Sequence, residues 1–354
     1  MTPQAAEHRA TQLPGRTEAL LALLRGKKRM LVLTHNNPDP DSLGSSLGLR
    51  YFANLACQVE SDFALSGRIL RAENQEMVAQ LGIVMTPLER IRPGDYDCVA
   101  LVDTQPGFGH TIVPPGCSVD IVIDHHLGDD PTKIGNEPFR DVRCDVGATS
   151  SLVSTYFREA GFVPSCEVAT ALAYGIKTDT ADLSRNVSEL DLRAYDFLFP
   201  YVDRQKLVAI TRPQLPAAYF QTLKEALHKV RRYQHVALCS LGQIGSVEMV
   251  AEVADLLLRM EGIRAVFCGG LVDCSYYVSV RTEMNGDAWK LIADAMKGEK
   301  GTFGGHGSVA GGSILLPCGD TRTLRRLERR LERNILRSVG VEGANATGLG
   351  DIDE

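Results

Sequence analysis

Three apolar runs in the first half of the chain each end in polar side chains of the kind that bind metals. The runs are "MLVLTH", "DCVALVD" and "SVDIVID", and helical patterns such as "SLGSSLGLRYFANLA", "ATSSLVSTYFREAG" and "CEVATALAYGI" follow them. Strands that are apolar throughout and alternate with helices are typical of a parallel sheet covered by helices. The pattern predicts an α/β domain with a parallel sheet.

A second α/β pattern begins after the proline-broken segment "TRPQLP". Apolar strands and amphipathic helices resume there, and the last helix places Leu324, Leu327, Leu331 and Ile335 on one stripe. We expect a parallel-sheet domain over residues 1–200, a helical linker over residues 201–233, a smaller α/β domain over residues 234–340 and a disordered tail over residues 341–354.

Composition narrows the class of protein. The chain has 354 residues, a formal net charge of -6 and no apolar run near the ~20 residues that cross a bilayer. Without a secretory layout at its start, we expect a cytoplasmic protein. Net acidity disfavours binding of long duplex DNA, which depends on Lys and Arg. The nine cysteines lack C-x-x-C spacing, which favours reduced, mostly buried thiols over disulfides.

The polar residues at the strand ends form one candidate site. His35 follows the first run, Asp103 ends the second, and Asp124, His125 and His126 end the third. Ligands of open α/β sheets bind beyond the carboxyl ends of the strands. Taken singly, each position reads as a turn or a helix cap. Taken together, they predict one crevice.

The segment "THNNPDPDS" explains how one loop could supply several ligands. A residue before proline is pushed toward extended geometry, and Asn37 and Asp39 both precede proline. In extended backbone, alternate residues face one side, so we expect His35, Asn37, Asp39 and Asp41 to converge. The following helix offers its N-terminus to an anion.

Asp179 in "YGIKTDT" ends a predicted helix and completes the set. Carboxylate oxygens favour Mg²⁺ or Mn²⁺, and the imidazoles favour Mn²⁺ over Mg²⁺. Two such ions, roughly 3.5–4 Å apart and bridged by a carboxylate, form a clamp for hydrolysis of phosphate esters.

Six segments in order resemble the motifs of the DHH phosphoesterase family with its associated C-terminal domain. "THNNPDPDSLGSS", "LVDT", "IDHH" and "GIKTDT" resemble the four motifs of the catalytic domain, while "SVRTE" and "GTFGGHGSVAGG" resemble those of the associated domain. The combination is most similar to the nano-RNase and phosphoadenosine-phosphate phosphatase branch.

The resemblance implies a role for each matching residue. One metal would be held by His35, Asp39 and Asp103, and the other by Asp41, Asp103, His125 and Asp179. His126 would contact the phosphate, Asp124 would orient a ligand histidine, and Arg281 and His306 would close over the substrate from the second domain. Strand alternation would turn His126 away from the target of His125. The implied cofactors are two Mn²⁺, with Mg²⁺ or another divalent metal as alternatives.

Two departures from the family pattern bear on specificity. Phe303 stands where relatives have glycine, and Thr282 follows the arginine where relatives often have serine. We expect both positions to lie near the bound nucleotide. Phe303, Tyr276 and Tyr277 are candidates to stack on a base, with packing in the core as the alternative for each.

The predicted function is metal-dependent hydrolysis of short RNA oligonucleotides or small nucleotide phosphates such as 3′-phosphoadenosine 5′-phosphate. Alternatives are a linear or cyclic dinucleotide phosphodiesterase and an exopolyphosphatase. Two more distant ones are a non-catalytic nucleotide sensor and a serine hydrolase, since "GSSLG" around Ser46 matches G-x-S-x-G. The oligomeric state is open, with a homodimer as one candidate.

Overall fold

A computed structural model of the chain describes residues 15–128, 137–283 and 286–349. It forms two compact units that divide between Pro213 and Gln214. This division falls inside the "TRPQLP" segment. The finer predicted limits of the linker and of the two domains stay predictions.

The first unit contains a six-stranded sheet in which every neighbouring pair is parallel. Its strands are β1 (Arg29–Leu33), β2 (Glu60–Leu65), β3 (Thr86–Pro87), β4 (Cys98–Val102), β5 (Ile121–Asp124) and β6 (Phe139–Val142). The order is β3-β2-β1-β4-β5-β6, so the direction of winding reverses between β1 and β4. The predicted α/β class and parallel sheet are confirmed.

The helices of the first unit are α1 (Arg16–Leu24), α2 (Pro40–Cys57), α3 (Ala72–Leu81), α4 (Thr149–Ala160), α5 (Cys166–Asp179), α6 (Glu189–Leu198) and α7 (Arg204–Thr211). Met30 and Val32 of β1 belong to the large core that these helices share. Leu31 and Leu33 face a smaller core. Among the described residues, that face is lined by irregular segments and short 3-10 turns, which differs from the predicted cover of helices.

The second unit contains a mixed seven-stranded sheet in the order β11-β12-β10-β9-β8-β7-β13, in which β8 and β9 are parallel. Its strands are β7 (Arg231–Tyr233), β8 (Val236–Gln243), β9 (Ala265–Val272), β10 (Ser275–Thr282), β11 (Gly301–His306), β12 (Val309–Leu315) and β13 (Thr347–Gly348). Its helices are α8 (Ala217–Lys229), α9 (Glu248–Leu258), α10 (Ala288–Ala295) and α11 (Thr321–Ser338). The predicted stripe of α11 is confirmed at Leu327, Leu331 and Ile335, which are buried.

The glycine-rich segment "GTFGGHGSVAGG" spans the edge strand β11 and the first residues of β12. Two details of the second unit differ from the sequence prediction. The predicted disordered tail is ordered as far as it is described, because Val341 is buried and β13 pairs with β7; residues 350–354 lie outside the described residues. Cys274 and Cys318 form a disulfide, although they are 44 positions apart and no spacing motif links them.

The remaining cysteines are free, and only Cys98, Cys239 and Cys268 of them are buried. The expected thiols therefore exist, but more of them are accessible than predicted. Within the described ranges, no helix is both long enough and apolar enough to cross a membrane.

Candidate metal centre

The candidate site lies at the carboxyl ends of β1, β4 and β5. His35 comes two residues after β1, Asp103 directly follows β4, and Asp124 is the last residue of β5. Because β1 and β4 are neighbours on either side of the reversal in strand order, the loops that leave them diverge and open a crevice.

The loop after β1 contributes three of the four residues expected from it. Asn37 has φ 57°, a left-handed conformation that breaks the extended alternation. Its Oδ1 accepts from the backbone N–H of Arg68 at 2.7 Å, so Asn37 fastens the loop to the segment after β2. Asp39 caps α2 by accepting from the backbone N–H of Ser42 at 2.9 Å. The prediction for Asn37 was wrong.

Asp41 lies in the first turn of α2 and is fully buried. Its two oxygens accept from the backbone N–H groups of Thr149 at 2.7 Å and Ser150 at 2.8 Å, at the N-terminus of α4. Gly175 of α5 permits this close packing, because a Cβ there would lie 3.0 Å from the Cα of Asp41. Asp41 is therefore held by a helix N-terminus, whose partial positive charge opposes the effect of burial on this carboxylate.

Asp103 lies between the two histidines of the predicted metal ligands. Its Oδ2 is 3.6 Å from Nε2 of His35, and its Oδ1 is 3.6 Å from Nε2 of His125. The hydroxyls of Ser42 and Thr149 donate to these two oxygens at 2.5 and 2.9 Å. Its backbone has φ 58°, a costly conformation for a non-glycine residue that is typical of functional sites.

His35 and His125 present the same ring nitrogen to the carboxylates. Nδ1 of His35 is 2.9 Å from the carbonyl oxygen of Asn36, and Nδ1 of His125 is 3.2 Å from that of Val146. A carbonyl oxygen only accepts, so Nδ1 carries a proton in each ring, and Nε2 is the nitrogen that offers a lone pair once the ring is neutral. Metal-ligating histidines are oriented in this way.

His126 also faces the cluster, which corrects the expected alternation. The rings of His125 and His126 lie 4.2 Å apart between centroids, and Nδ1 of His126 is 3.7 Å from Oδ1 of Asp103. Asp124 accepts from this Nδ1 at 2.9 Å and from the backbone N–H of His125 at 2.9 Å. Asp124 thus orients the ring of His126 rather than that of His125. The strand ends at Asp124, and alternation ends with it.

All six residues predicted as metal ligands come together in the first unit. The candidate ligand atoms lie within 4.8 Å of one another in three sets, namely His35 with Asp39 and Asp103, Asp41 with His125 and Asp179, and Asp103 with His125 and His126. The first two sets divide the residues as the family resemblance does, except that Asp103, the expected bridging residue, falls outside the second.

The protein groups alone leave this cluster unbalanced. Burial, Asp103 and Asp179 together raise the pKa of Asp41 well above its ordinary value. Burial and Asp39 raise the pKa of Asp179 to about 6. Burial lowers the pKa of His125, but Asp179, Asp103 and Asp41 outweigh it and raise the value to about 11. The carboxylates therefore draw in positive charge.

The surroundings of Nε2 of His125 fit a divalent cation. Nε2 of His125 is buried and makes no hydrogen bond. It lies 3.2 Å from Oδ2 of Asp179 and 4.0 Å from Oδ2 of Asp41. A buried polar atom without a hydrogen bond is costly, and a cation among these oxygens satisfies it.

Four residues of the site escaped sequence reasoning. Ser42 and Thr149 hold Asp103, Gln105 contacts Asp124, and the ring of exposed His110 lies 5.5 Å from that of His35. Gln105 directly follows "LVDT", and its polar side chain beside a buried strand was the available signal. His110 comes from a loop whose path the sequence does not specify.

Arg281 of the second unit is only 8% exposed. Its Nε donates to Asp255 of α9, and one terminal nitrogen donates to Ser279 Oγ at 2.7 Å. Val309 of β12 pairs with both Arg281 and His306, which places their backbones in one row across the sheet. The side chain of His306 lies outside the described residues.

Phe303 does not share the sheet face of Arg281. It pairs through Gly312 with Val278, three residues before Arg281, and side chains three positions apart on a strand point to opposite faces. Phe303 is 42% exposed and lies near Trp289 of α10. Tyr276 is buried in the core. Phe303 and Arg281 therefore face opposite sides of this sheet, and the expected place of Phe303 near the nucleotide stays a prediction.

The serine hydrolase alternative fails on geometry. Ser46 lies inside α2 and is fully buried, whereas a nucleophile elbow needs an exposed serine on a sharp turn directly after a strand.

Residues 29–176 match the sequence profile of the N-terminal domain of the DHH family. A protein of Methanocaldococcus jannaschii, uncharacterized protein MJ1633, is 33% identical over 341 residues, which cover 90% of this chain and 69% of that protein. The chain belongs to the DHH family. Members of the DHH family are phosphoesterases and depend on divalent metals.

Two further similarities concern the relatives and the fold. Uncharacterized protein MJ0988 of the same organism is 28% identical over 185 residues, covering 49% of this chain and 53% of that protein. The crystal structure of an exopolyphosphatase-related protein from Bacteroides fragilis has a TM-score of 0.69 at 16% identity, and covers 92% of this chain and 97% of that one. This second likeness supports the two-domain DHH fold.

Proposed function

We propose that this DHH-family chain is a phosphoesterase with two divalent ions, preferably Mn²⁺, that hydrolyses short oligoribonucleotides or small nucleotide phosphates such as 3′-phosphoadenosine 5′-phosphate. The observation that carries the proposal is the position of Asp103, whose two oxygens each face a different histidine at 3.6 Å. A carboxylate so placed suits a bridge between two ions.

Each proposed ion has its own protein ligands besides Asp103. His35 and Asp39 would hold one ion, and Asp41, His125 and Asp179 would hold the other. When bound, the ions supply Lewis-acid stabilisation of the phosphoryl oxygens and activation of water. The hydrogen bonds from α4 to Asp41 and from Ser42 to Asp103 keep the carboxylates in place without the ions.

His126 and Arg281 would balance charge on the phosphoryl group. Burial lowers the pKa of His126, but Asp124 and Asp103 raise it to a net value above its ordinary one, which favours a charged ring that donates to a phosphoryl oxygen. Asp124 fixes the ring through Nδ1. Arg281 and His306 would act from the second unit, as members of a DHH-associated domain.

A panel of substrates with added Mn²⁺ tests this proposal. We expect release of phosphate from 3′-phosphoadenosine 5′-phosphate and of mononucleotides from a short RNA, both abolished by EDTA. Activity on tripolyphosphate alone would favour an exopolyphosphatase, as the name of the Bacteroides fragilis neighbour suggests. Activity on cyclic or linear dinucleotides alone would favour a dinucleotide phosphodiesterase. Binding without turnover would leave the nucleotide sensor.

A further inference from the structure

Gln105 lies beside Asp124, and its side chain forms hydrogen bonds with Asp124, His126 and Arg140. Its side chain is 4% exposed, and it directly follows the loop residue Thr104 after Asp103. Its Nε2 donates to Oδ2 of Asp124 at 2.7 Å and to the carbonyl oxygen of His126 at 2.9 Å. Gln105 therefore holds both the backbone of His126 and the carboxylate that orients its ring.

The orientation of the Gln105 amide is fixed from its other side. Arg140, the second residue of β6, donates through a terminal nitrogen to Oε1 of Gln105. An arginine only donates, so this atom is the oxygen and the amide nitrogen must face Asp124. Glu137 lies 3.5 Å from the other terminal nitrogen of Arg140 and completes a chain of five polar side chains that ends at His126.

The two oxygens of Asp124 bond different groups, which links Gln105 on one side to His126 on the other. Asp124 is fully buried, and Gln105 occupies its Oδ2. Its Oδ1 is left for Nδ1 of His126 and for the backbone N–H of His125. Without the donor from Gln105, one oxygen of a buried carboxylate loses its hydrogen bond and the carboxylate can rotate toward other donors, which costs free energy and releases the ring of His126.

We propose that Gln105 is a positioning residue, which sets the ring orientation of His126 through Asp124 and thereby aligns a phosphate contact. This inference rests on the proposed function, in which His126 touches the phosphoryl group. Partners that orient a site residue from behind typically affect activity about 10–100-fold. Among the residues that the structure describes, the side chain of Gln105 forms no hydrogen bond with the candidate ligands His35, Asp39, Asp41 and Asp179.

Two substitutions separate the two ends of the amide. Gln105→Met keeps the length of the side chain and removes both hydrogen-bonding groups. Gln105→Glu keeps the acceptor for Arg140 and removes the donor to Asp124, so it retains the link to β6 if the first variant fails to fold. Gln80→Met is the matched control, because Gln80 is a partly buried glutamine whose side chain donates to Glu76 of the same helix, α3.

The first readout needs no substrate. In protein labelled with ¹⁵N at histidine, the Nδ1 proton of His126 is assigned by its loss in His126→Gln. We expect both Gln105 variants to shift or lose this resonance and Gln80→Met to retain it. If the resonance changes but no phosphate ester is hydrolysed by the wild type, the proposed function fails while the positioning role stands.

The second readout is kinetic. We expect both Gln105 variants to lower kcat/KM about 10–100-fold, with Mn²⁺ affinity within about twofold of the wild type. In a His126→Gln background, Gln105→Met should cost less than about twofold, because coupled residues are not additive. Folded Gln105 variants with wild-type kinetics and an unchanged His126 resonance overturn the proposal, as does an undiminished effect in the His126→Gln background.

Discussion

In the first unit, three overlapping sets of candidate metal ligands bring Asp39, Asp41, Asp103 and Asp179 together with histidines. In the second unit, Arg281 lies against Asp255 and Ser279 of its own unit. The first arrangement leaves a carboxylate with a pKa of about 6 and a buried imidazole nitrogen without a hydrogen bond. The second arrangement satisfies its charge internally. Unsatisfied acids indicate a cation site, whereas the charge of Arg281 is already balanced by Asp255 within its own unit.

Substitution of Asp103, the carboxylate between the two histidines, is expected to have the largest effect on activity. We expect Asp103→Asn to lower kcat by about 10³-fold or more, because several kcal/mol of charge stabilisation are lost. The variant should stay folded, because asparagine has nearly the same shape and keeps one side-chain oxygen that can accept from Ser42 or Thr149. Turnover of 3′-phosphoadenosine 5′-phosphate and circular dichroism measure the two effects. Asp196→Ala, on the exposed surface of α6, is the control and should match the wild type.

The pH dependence of Mn²⁺ affinity tests whether the histidines of the first unit release protons when a metal binds. Burial lowers the pKa of His35, but Asp103 and Asp39 raise it to about 9, and the pKa of His125 is about 11. Both rings therefore carry two protons and a positive charge at neutral pH. Each must lose the proton on Nε2 to offer that nitrogen to a cation. We expect the apparent Mn²⁺ affinity to rise about 100-fold per pH unit between pH 6.5 and 7.5 if both protons leave.

Titration calorimetry in buffers of different ionisation enthalpy counts these protons. An Mn²⁺ affinity that is independent of pH would contradict the predicted protonation of His35 and His125.

Substitution of Arg281 tests whether the second unit contributes a phosphate contact. We expect Arg281→Ala to lower kcat/KM for a nucleotide phosphate about 10–100-fold, as the loss of one charged hydrogen bond costs ~1.5–3 kcal/mol. Mn²⁺ affinity should stay unchanged, because the candidate ligands belong to the first unit. Arg264→Ala is the matched control, since Arg264 is an exposed arginine of the same unit. Equal losses in both variants would remove the special role of Arg281.

The smallest expected effect concerns Phe303. Since Phe303 and Arg281 occupy opposite faces of the sheet, Phe303→Leu should change KM for a nucleotide by less than about twofold. Initial rates over a range of 3′-phosphoadenosine 5′-phosphate concentrations give this value. A tenfold rise in KM would show that the departure at this position does shape the substrate site.

The sequence predicted the site better than the path of the chain through it. Strand ends were enough to group His35, Asp103 and His125, because parallel strands bring their carboxyl ends to one edge. The left-handed conformations of Asn37 and Asp103 could not be predicted, since they depend on the anchors at Arg68 and Ile123. The role of Asp124 toward His126 depends on where β5 ends.

Other errors share a tertiary cause. The irregular segments that cover one face of the first sheet and the Cys274–Cys318 disulfide both depend on contacts between residues distant in the chain. Local periodicity does not report such contacts. Short strands such as β3, with two residues, carry too little pattern to be recognised.

Anomalous diffraction from crystals soaked in Mn²⁺ tests the central claim most directly. We expect two peaks on either side of the Asp103 carboxylate, one beside His35 and Asp39 and the other beside Asp41, His125 and Asp179. Their separation should be roughly 3.5–4 Å, as in two-metal hydrolases. No peak at Asp103, or a single peak that leaves either histidine without a cation, would contradict the two-ion centre.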